Sequence, residues 1–276
     1  MTDTFARLIR TPQGLAGLVL ILLLVLVVLF GPSIAPVNPE KMDFMGRFAK
    51  PGAAHWLGGD QLGRDVFSRI LTGARTTIPM AVGATLAGTL AGALLGTLSA
   101  YLGGRADEFI MRTVDAVMAI PGLLLALLVV STLGKGDLNA MLAIAVAFAP
   151  GMTRITRSVA LTARRMDYVN AAVARGESGA WIVFREMLPN VTAPVVVEST
   201  IRVAFAIMLF ATLSFLGLGA QPPASDWGLM ISDARVYLHQ APWMIIAPGA
   251  AIAVAAIGFN LLGDGLRDAM NPRNET

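Results

Sequence analysis

The sequence predicts an all-α, polytopic membrane protein with six transmembrane helices. Two observations carry this. Of 276 residues, 55% are hydrophobic and only 14% charged, with a mean hydropathy of +0.68. A soluble domain carries about 25% charge and needs polar side chains to cover its core. In addition, six charge-poor runs reach or approach the ~18–20 residues with which a helix crosses a bilayer core. A water-soluble enzyme and a disordered chain are both excluded by this balance. There is no Cys, hence no disulfide and no thiolate metal site. The formal charge of +3 and the pI near 9.7 come mostly from clustered Arg. They read as membrane orientation rather than as a nucleic-acid footprint.

The first run, 13–30, holds no charge and follows Arg7 and Arg10. A signal peptide has a shorter apolar region and a small-x-small cleavage site, whereas this run ends in Gly31-Pro32, so a retained anchor is expected. The second run is 78–102. The third is 113–133, with Asp115 near its start. The fourth is 138–152, where Pro150-Gly151 reads as a bend leaving the membrane. The fifth, 191–218, contains Glu198 and Arg202, and the sixth is 243–262. Lys and Arg in flanking loops set orientation. With both termini inside, the inner segments collect Arg7, Arg10, Arg105, Arg112, Arg154, Arg157, Arg164, Arg165, Arg175, Arg185, Arg267 and Arg273. The shorter outer loops hold only Lys135 and Arg235, while segment 31–77 breaks the pattern with Lys41, Arg47, Lys50, Arg64, Arg69 and Arg75. The expected division is 1–31 for the N-terminal end and first span, 32–77 for an outer segment, and 78–276 for the transport domain. That domain includes an inner loop over about 158–190.

Within the spans, Gly88, Gly92 and Gly96 share one helix face, which lets another backbone approach closely. Packing within the chain and packing against a second membrane subunit both fit. Glu198 and Arg202 are one helical turn apart, and reads as a mutually neutralised pair or as part of an ion pathway. His55 and His239 are too few and too far apart for a metal site. Trp243 and Trp227 suit an interfacial aromatic belt. In the outer segment, Gly63-Arg64-Asp65 caps a helix expected to reach about Leu71. Arg64, Asp65 and Arg69 are candidates for contacts with a partner, against self-packing.

The inner loop carries the sharpest signal. Asp167 suits an N-cap, and Tyr168, Val169, Asn170, Ala171, Ala172, Val173 and Ala174 build a short helix. Arg175 sits at its C-terminal end, where the dipole favours a cation. Gly176 suits the left-handed stop, followed by Glu177. Ser178 then caps a second short helix to Met187, with Pro189 past its end. A helix of this length is marginal alone, so its small apolar face requires a partner surface. Periodicity leaves open whether that surface is this chain's own helix ends or another protein.

Asn170-Ala171-Ala172, Gly176 and Leu188-Pro189 resemble the EAA loop of ABC importer permeases. Asn170 stands where that motif has Glu, and Glu186 where it has Ile. His55-Trp56-Leu57-Gly58-Gly59-Asp60 with Gly63-Arg64-Asp65, Leu213 to Pro223 with Trp227-Gly228, and Gly263-Asp264 with Asn271-Pro272 are similar to the C-type permeases of dipeptide, oligopeptide and nickel importers. The resemblance implies a type I ABC importer, MetI-like permease fold in a bacterial cytoplasmic membrane. It implies that a homologous B-type permease, two cytoplasmic ABC ATPase subunits and an outer solute-binding protein are partners. The stretch Asp167 to Glu177 becomes the coupling loop that docks in the ATPase. Peptides are the implied cargo, with nickel or glutathione as alternatives and a stand-alone secondary transporter as a remote one. No Gly-x4-Gly-Lys-Ser/Thr phosphate loop occurs, and no catalytic constellation suggests another reaction. ATP and Mg are therefore expected in the partners, with no cofactor, catalytic residue or metal site in this chain.

Overall fold

A computed structural model of the chain describes residues 7–270. Arg273 and Asn271-Pro272, used above, lie outside the described residues. Among the described residues the fold is helical, and the β-type pairing is an isolated bridge between Gly59 and Asp65.

Helix α1 (Pro12–Ile34) starts with Pro12, whose missing N–H costs nothing in a first turn, and the Thr11 hydroxyl accepts from the Gly14 N–H. After the irregular segment 35–65 comes α2 (Val66–Leu102). Helices α3 (Gly104–Met118) and α4 (Gly122–Leu133) follow, then α5 (Asp137–Ala163) and the short α6 (Asp167–Ala174). Helix α7 runs over Gly179–Phe215. The last elements are α8 (Trp227–Ala234) and α9 (Trp243–Ala269).

Five of these, α1, α2, α5, α7 and α9, are long and apolar enough to cross a membrane. The sixth span is not one rod. The run 113–133 divides into α3 and α4, which meet at 92°. Pro121 explains the break, since it disfavours helical geometry in the residue before it and cannot donate to the preceding turn.

Three other expected boundaries move. Asp65 does cap a helix, its Oδ2 accepting from the Ser68 N–H at 2.8 Å, but that helix continues past Leu71 to Leu102. Pro150 lies inside α5 and does not end it. Pro189 likewise lies inside α7. There, Ile182–Met187 form a π-helical stretch, whose wider turn gives the proline ring room that a regular α-turn denies it. The Asn190 side-chain amide donates to the Glu186 carbonyl at 2.6 Å.

The largest helix pairing is α2 on α5, and α9 packs on both α1 and α7. The glycine stripe of α2 makes the first contact possible. A Cβ on Gly88 would lie 2.8 Å from the Ala145 carbonyl oxygen. One on Gly92 would be 2.4 Å from the Met152 Cβ, and one on Gly96 2.5 Å from the Thr153 oxygen. Gly88, Gly92 and Gly96 therefore serve packing inside this chain, and a second subunit is not what touches them. The reverse face of α2 presents Leu86, Leu90 and Leu94, 54%, 64% and 41% exposed, a surface suited to lipid.

The charged residues singled out at the end of segment 35–65 and the start of α2 are not free for docking, whereas Met42, Phe44, Met45 and Trp56 of the segment are exposed. Arg64, Asp65 and Arg69 are all buried, which corrects their reading as partner contacts. Asp60 Oδ2 accepts from Arg64 Nε at 2.6 Å and from an Arg69 guanidinium nitrogen at 2.8 Å. Pairing is what makes such burial tolerable. His55, read as an ordinary surface residue, instead contacts Asp65 at 3.0 Å. Trp227 is also buried and donates to the Ile70 carbonyl, so it belongs to the core and not to an aromatic belt. Trp243 donates to the Gly59 carbonyl at 3.2 Å. Two of the basic residues that disturbed the orientation pattern, Arg64 and Arg69, are thus tied up internally.

Candidate coupling site

The site is built at the bundle end away from segment 35–65, where α5 gives way to α6. Ionic contacts fix this end. Arg157 holds Asp107 with two hydrogen bonds of 2.6 and 2.5 Å, joining α5 to α3, and Arg154 reaches Asp115 at 2.5 Å. Arg164 donates to the Ala100 carbonyl at 2.8 Å, closing α5 onto the last turn of α2. These pairings join residues remote in sequence, so no local spacing announced them.

Helix α6 begins at Asp167, and its cap position is Met166, which makes no side-chain capping bond. Asp167 therefore acts within the first turn, where a carboxylate still favours the helix dipole, and not as the cap the sequence suggested. The other end follows expectation. Gly176 has φ of 77°, a region costly for residues with a Cβ. Its N–H donates to the Val173 carbonyl at 2.9 Å, and that of Glu177 to Ala172 at 3.2 Å. This double bond pattern is the Schellman closure. Ser178 then accepts from the Trp181 N–H at 3.2 Å, so α7 begins three residues after the glycine.

Helix α6 has two faces. Val169 and Ala172 are buried, at 3% and 0% exposure, in a cluster with Ala100, Ala160, Ile182 and Met187. Asn170, Ala171, Val173 and Ala174 face outward, and Val173 is 57% exposed. Both partner surfaces left open by periodicity thus have a face available: one is filled by this chain and the other is bare. Tyr168 is partly buried; burial, with a smaller contribution from Glu186, raises its phenol pKa and keeps it neutral. Arg175 lies 3.6 Å from Glu177 and 3.5 Å from Glu186, over the Trp181 ring. Glu186, one of the two departures from the EAA pattern, therefore has a charge partner. Asn170, the other, lies on the bare face.

Farther along α7, Glu198 and Arg202 form their expected pair at 3.1 Å. They line a cavity of about 500 Å³ with Gly122 and Phe148, at the break between α3 and α4. Among the described residues, no cluster of His, Cys, Asp and Glu is arranged to hold a metal ion.

A helical bundle of membrane-spanning length, with a tightly closed loop helix bare on one face, defines the class of a multi-pass membrane component. Comparison with known proteins gives the family. Residues 88–276 match the family described as "Binding-protein-dependent transport system inner membrane component", and residues 1–51 match the "N-terminal TM domain of oligopeptide transport permease C". The chain belongs to this family of inner membrane components, among the C-type permeases of ABC importers.

Its relatives include the probable D,D-dipeptide transport system permease protein DdpC of Escherichia coli K12, 40% identical over 95% of this chain and 88% of that one. The dipeptide transport system permease protein DppC of Alkalihalophilus pseudofirmus is 37% identical, over 98% and 89%. The glutathione transport system permease protein GsiD of Pectobacterium atrosepticum is 39% identical, over 98% and 90%. A chain of the MetNI methionine ABC transporter in inward-facing conformations shares the fold, with a TM-score of 0.60 at 18% identity over 74% of this chain and 97% of that one.

Proposed function

We propose that this chain and a homologous B-type permease together form the pathway by which an ATP-driven importer takes up small peptides. The observation that carries the proposal is the two-faced α6. Its inner face is anchored to the chain's own helix ends, and its outer face, Asn170, Ala171, Val173 and Ala174, is left bare. Such a helix suits a groove on a cytoplasmic ATPase subunit. ATP and Mg bind in the two ATPase subunits, and a solute-binding protein delivers cargo on the far side. Both termini are cytoplasmic, on the same side as α6. Nucleotide binding biases a two-state membrane element, and the Schellman closure at Gly176 passes the movement of α6 directly into α7.

Peptide cargo is favoured because the relatives named for dipeptides, D,D-dipeptides and glutathione cover nearly the whole chain. Glutathione is itself a tripeptide, so it belongs to the same chemical class. The test is reconstitution of both permeases and the ATPases in liposomes with the binding protein. Accumulation of a labelled dipeptide that requires ATP is expected. Uptake that proceeds without ATP and without the ATPase subunits overturns the proposal.

A further inference from the structure

Between Leu188 and Phe215, Glu198 and Arg202 are the charged residues of α7. They lie roughly 25 and 20 Å along the helix from Phe215, and they stand in the wall of the 500 Å³ cavity. The rest of that wall includes Leu123, Phe148, Phe205 and Met208. Glu198 also lines a second cavity, of about 310 Å³, together with Ile155 and Arg267. Arg267 lies in the last turn of α9, at the α6 end of the bundle. Glu198 therefore faces both spaces, and Arg202 faces the first.

The pair is incompletely engaged. Glu198 Oε1 meets a single terminal guanidinium nitrogen of Arg202, at 3.1 Å. Arg202 Nε is buried and has no hydrogen-bond partner. The guanidinium lies over the Phe148 ring, 5.7 Å from its centroid, and over Gly151. A Cβ at position 151 would come within 3.1 Å of it. Arg202 is thus held flat with one edge unused. Guanidinium matches a carboxylate best through two parallel N–H bonds from one edge, and this fork is not formed here, where the pair meets as an ionic contact at 3.1 Å. Both side chains retain access, at 20% and 26% exposure.

We propose that the Glu198–Arg202 pair is a hand-over point for the charged ends of a zwitterionic peptide. The inference rests on the peptide reading above. The peptide carboxylate takes the free Arg202 edge, and its ammonium takes the Glu198 carboxylate. A substrate with two opposite charges is costly to move through an apolar space. A wall that offers two opposite charges one helical turn apart meets both without adding net charge. The pair re-forms when the peptide moves on into the second cavity.

The experiment uses the complete complex in liposomes, with labelled dialanine as the probe. Two quantities are read: binding-protein-stimulated ATP hydrolysis, and dipeptide taken up per ATP. Glu198→Gln, Arg202→Gln and the double neutral variant are expected to keep stimulated hydrolysis. All three lose uptake per ATP by about ten- to a hundredfold, the range of a charge-assisted hydrogen bond. Arg202→Lys, which keeps the charge but not the fork, loses less. A pair that only neutralises itself predicts the opposite for the double variant, which would then match the wild type, and that result overturns the inference. Loss of assembly in all neutral variants makes the pair structural and overturns it equally. A wild-type complex that imports no dipeptide refutes the peptide reading itself and is recognised separately from these.

Discussion

Replacing Val173 by Asp separates the two faces of α6. Val173 is 57% exposed and belongs to the bare face. Full burial of a Val side chain contributes about 1.5–3 kcal/mol, so covering the remaining half of its surface contributes about 1 kcal/mol to docking. The aspartate loses that and also places a carboxylate in a dry groove, at an effective cost of several kcal/mol. The combined loss is about 3 kcal/mol or more, a hundredfold or greater weakening of ATPase binding. The free permease changes little, because the site is exposed and the dipole penalty of an acid near a helix C-terminus is only about 0.3–1 kcal/mol. The companion substitution Ala172→Leu acts on the other face. Ala172 has no exposed surface, so overpacking costs about 1–3 kcal/mol of stability. In detergent, capture of the ATPase by the permease pair is measured beside thermal unfolding. Val173→Asp is expected to lose capture with an unchanged melting temperature, and Ala172→Leu to melt earlier. Undiminished ATPase capture by Val173→Asp refutes the assignment of this face.

Three more outcomes are expected. Gly176→Val costs about 1–3 kcal/mol of backbone strain, since φ is 77° and no side chain crowds the site; Gly176→Asn costs less, and stimulated ATP hydrolysis ranks the two variants in that order. Gly92→Val forces α2 from α5, because even a Cβ meets Met152 at 2.4 Å; a fall in melting temperature corresponding to about 1–3 kcal/mol is expected. Asp226 caps α8, accepting from Leu229 N–H and from the Thr77 hydroxyl, and burial raises its pKa. A raised folded-state pKa means stability is greatest below the unfolded value and is lost as pH rises through the folded one. Asp226→Asn keeps the cap without the charge. It should therefore melt higher than the wild type at neutral pH, with the difference shrinking on acidification in thermal scans.

The spans, the stop at Gly176 and the cap at Ser178 were legible because each depends on local chemistry: hydropathy over one helix length, a left-handed turn, a hydroxyl beside free N–H groups. What misled was proline. Pro150 and Pro189 read as helix ends, yet neighbouring helices and a π-turn absorb them, and that accommodation is a property of the bundle. Only at Pro121 does the break occur. Arg64, Arg69 and Asp65 read as surface charges since nothing in their spacing revealed that Asp60 and His55 turn back to meet them. In the coupling loop, the two faces of α6 were invisible because Val169, Ala171, Ala172 and Val173 are all small and apolar. Only the placement of Ala100 and Met187 decides which of them are covered.

Because α7 starts at Gly179 and does not end until Phe215, about 55 Å later, one continuous helix joins the α6 end of the bundle to the opposite end. A tilt imposed at the foot arrives at Glu198, Arg202 and the outermost turn together, as with an oar in its lock. The compliant places along the shaft are the widened turn at Ile182–Met187 and the turn before Pro194, both in the half nearer the handle. Stiffness beyond those points leaves the stroke little room to dissipate before it reaches the cargo.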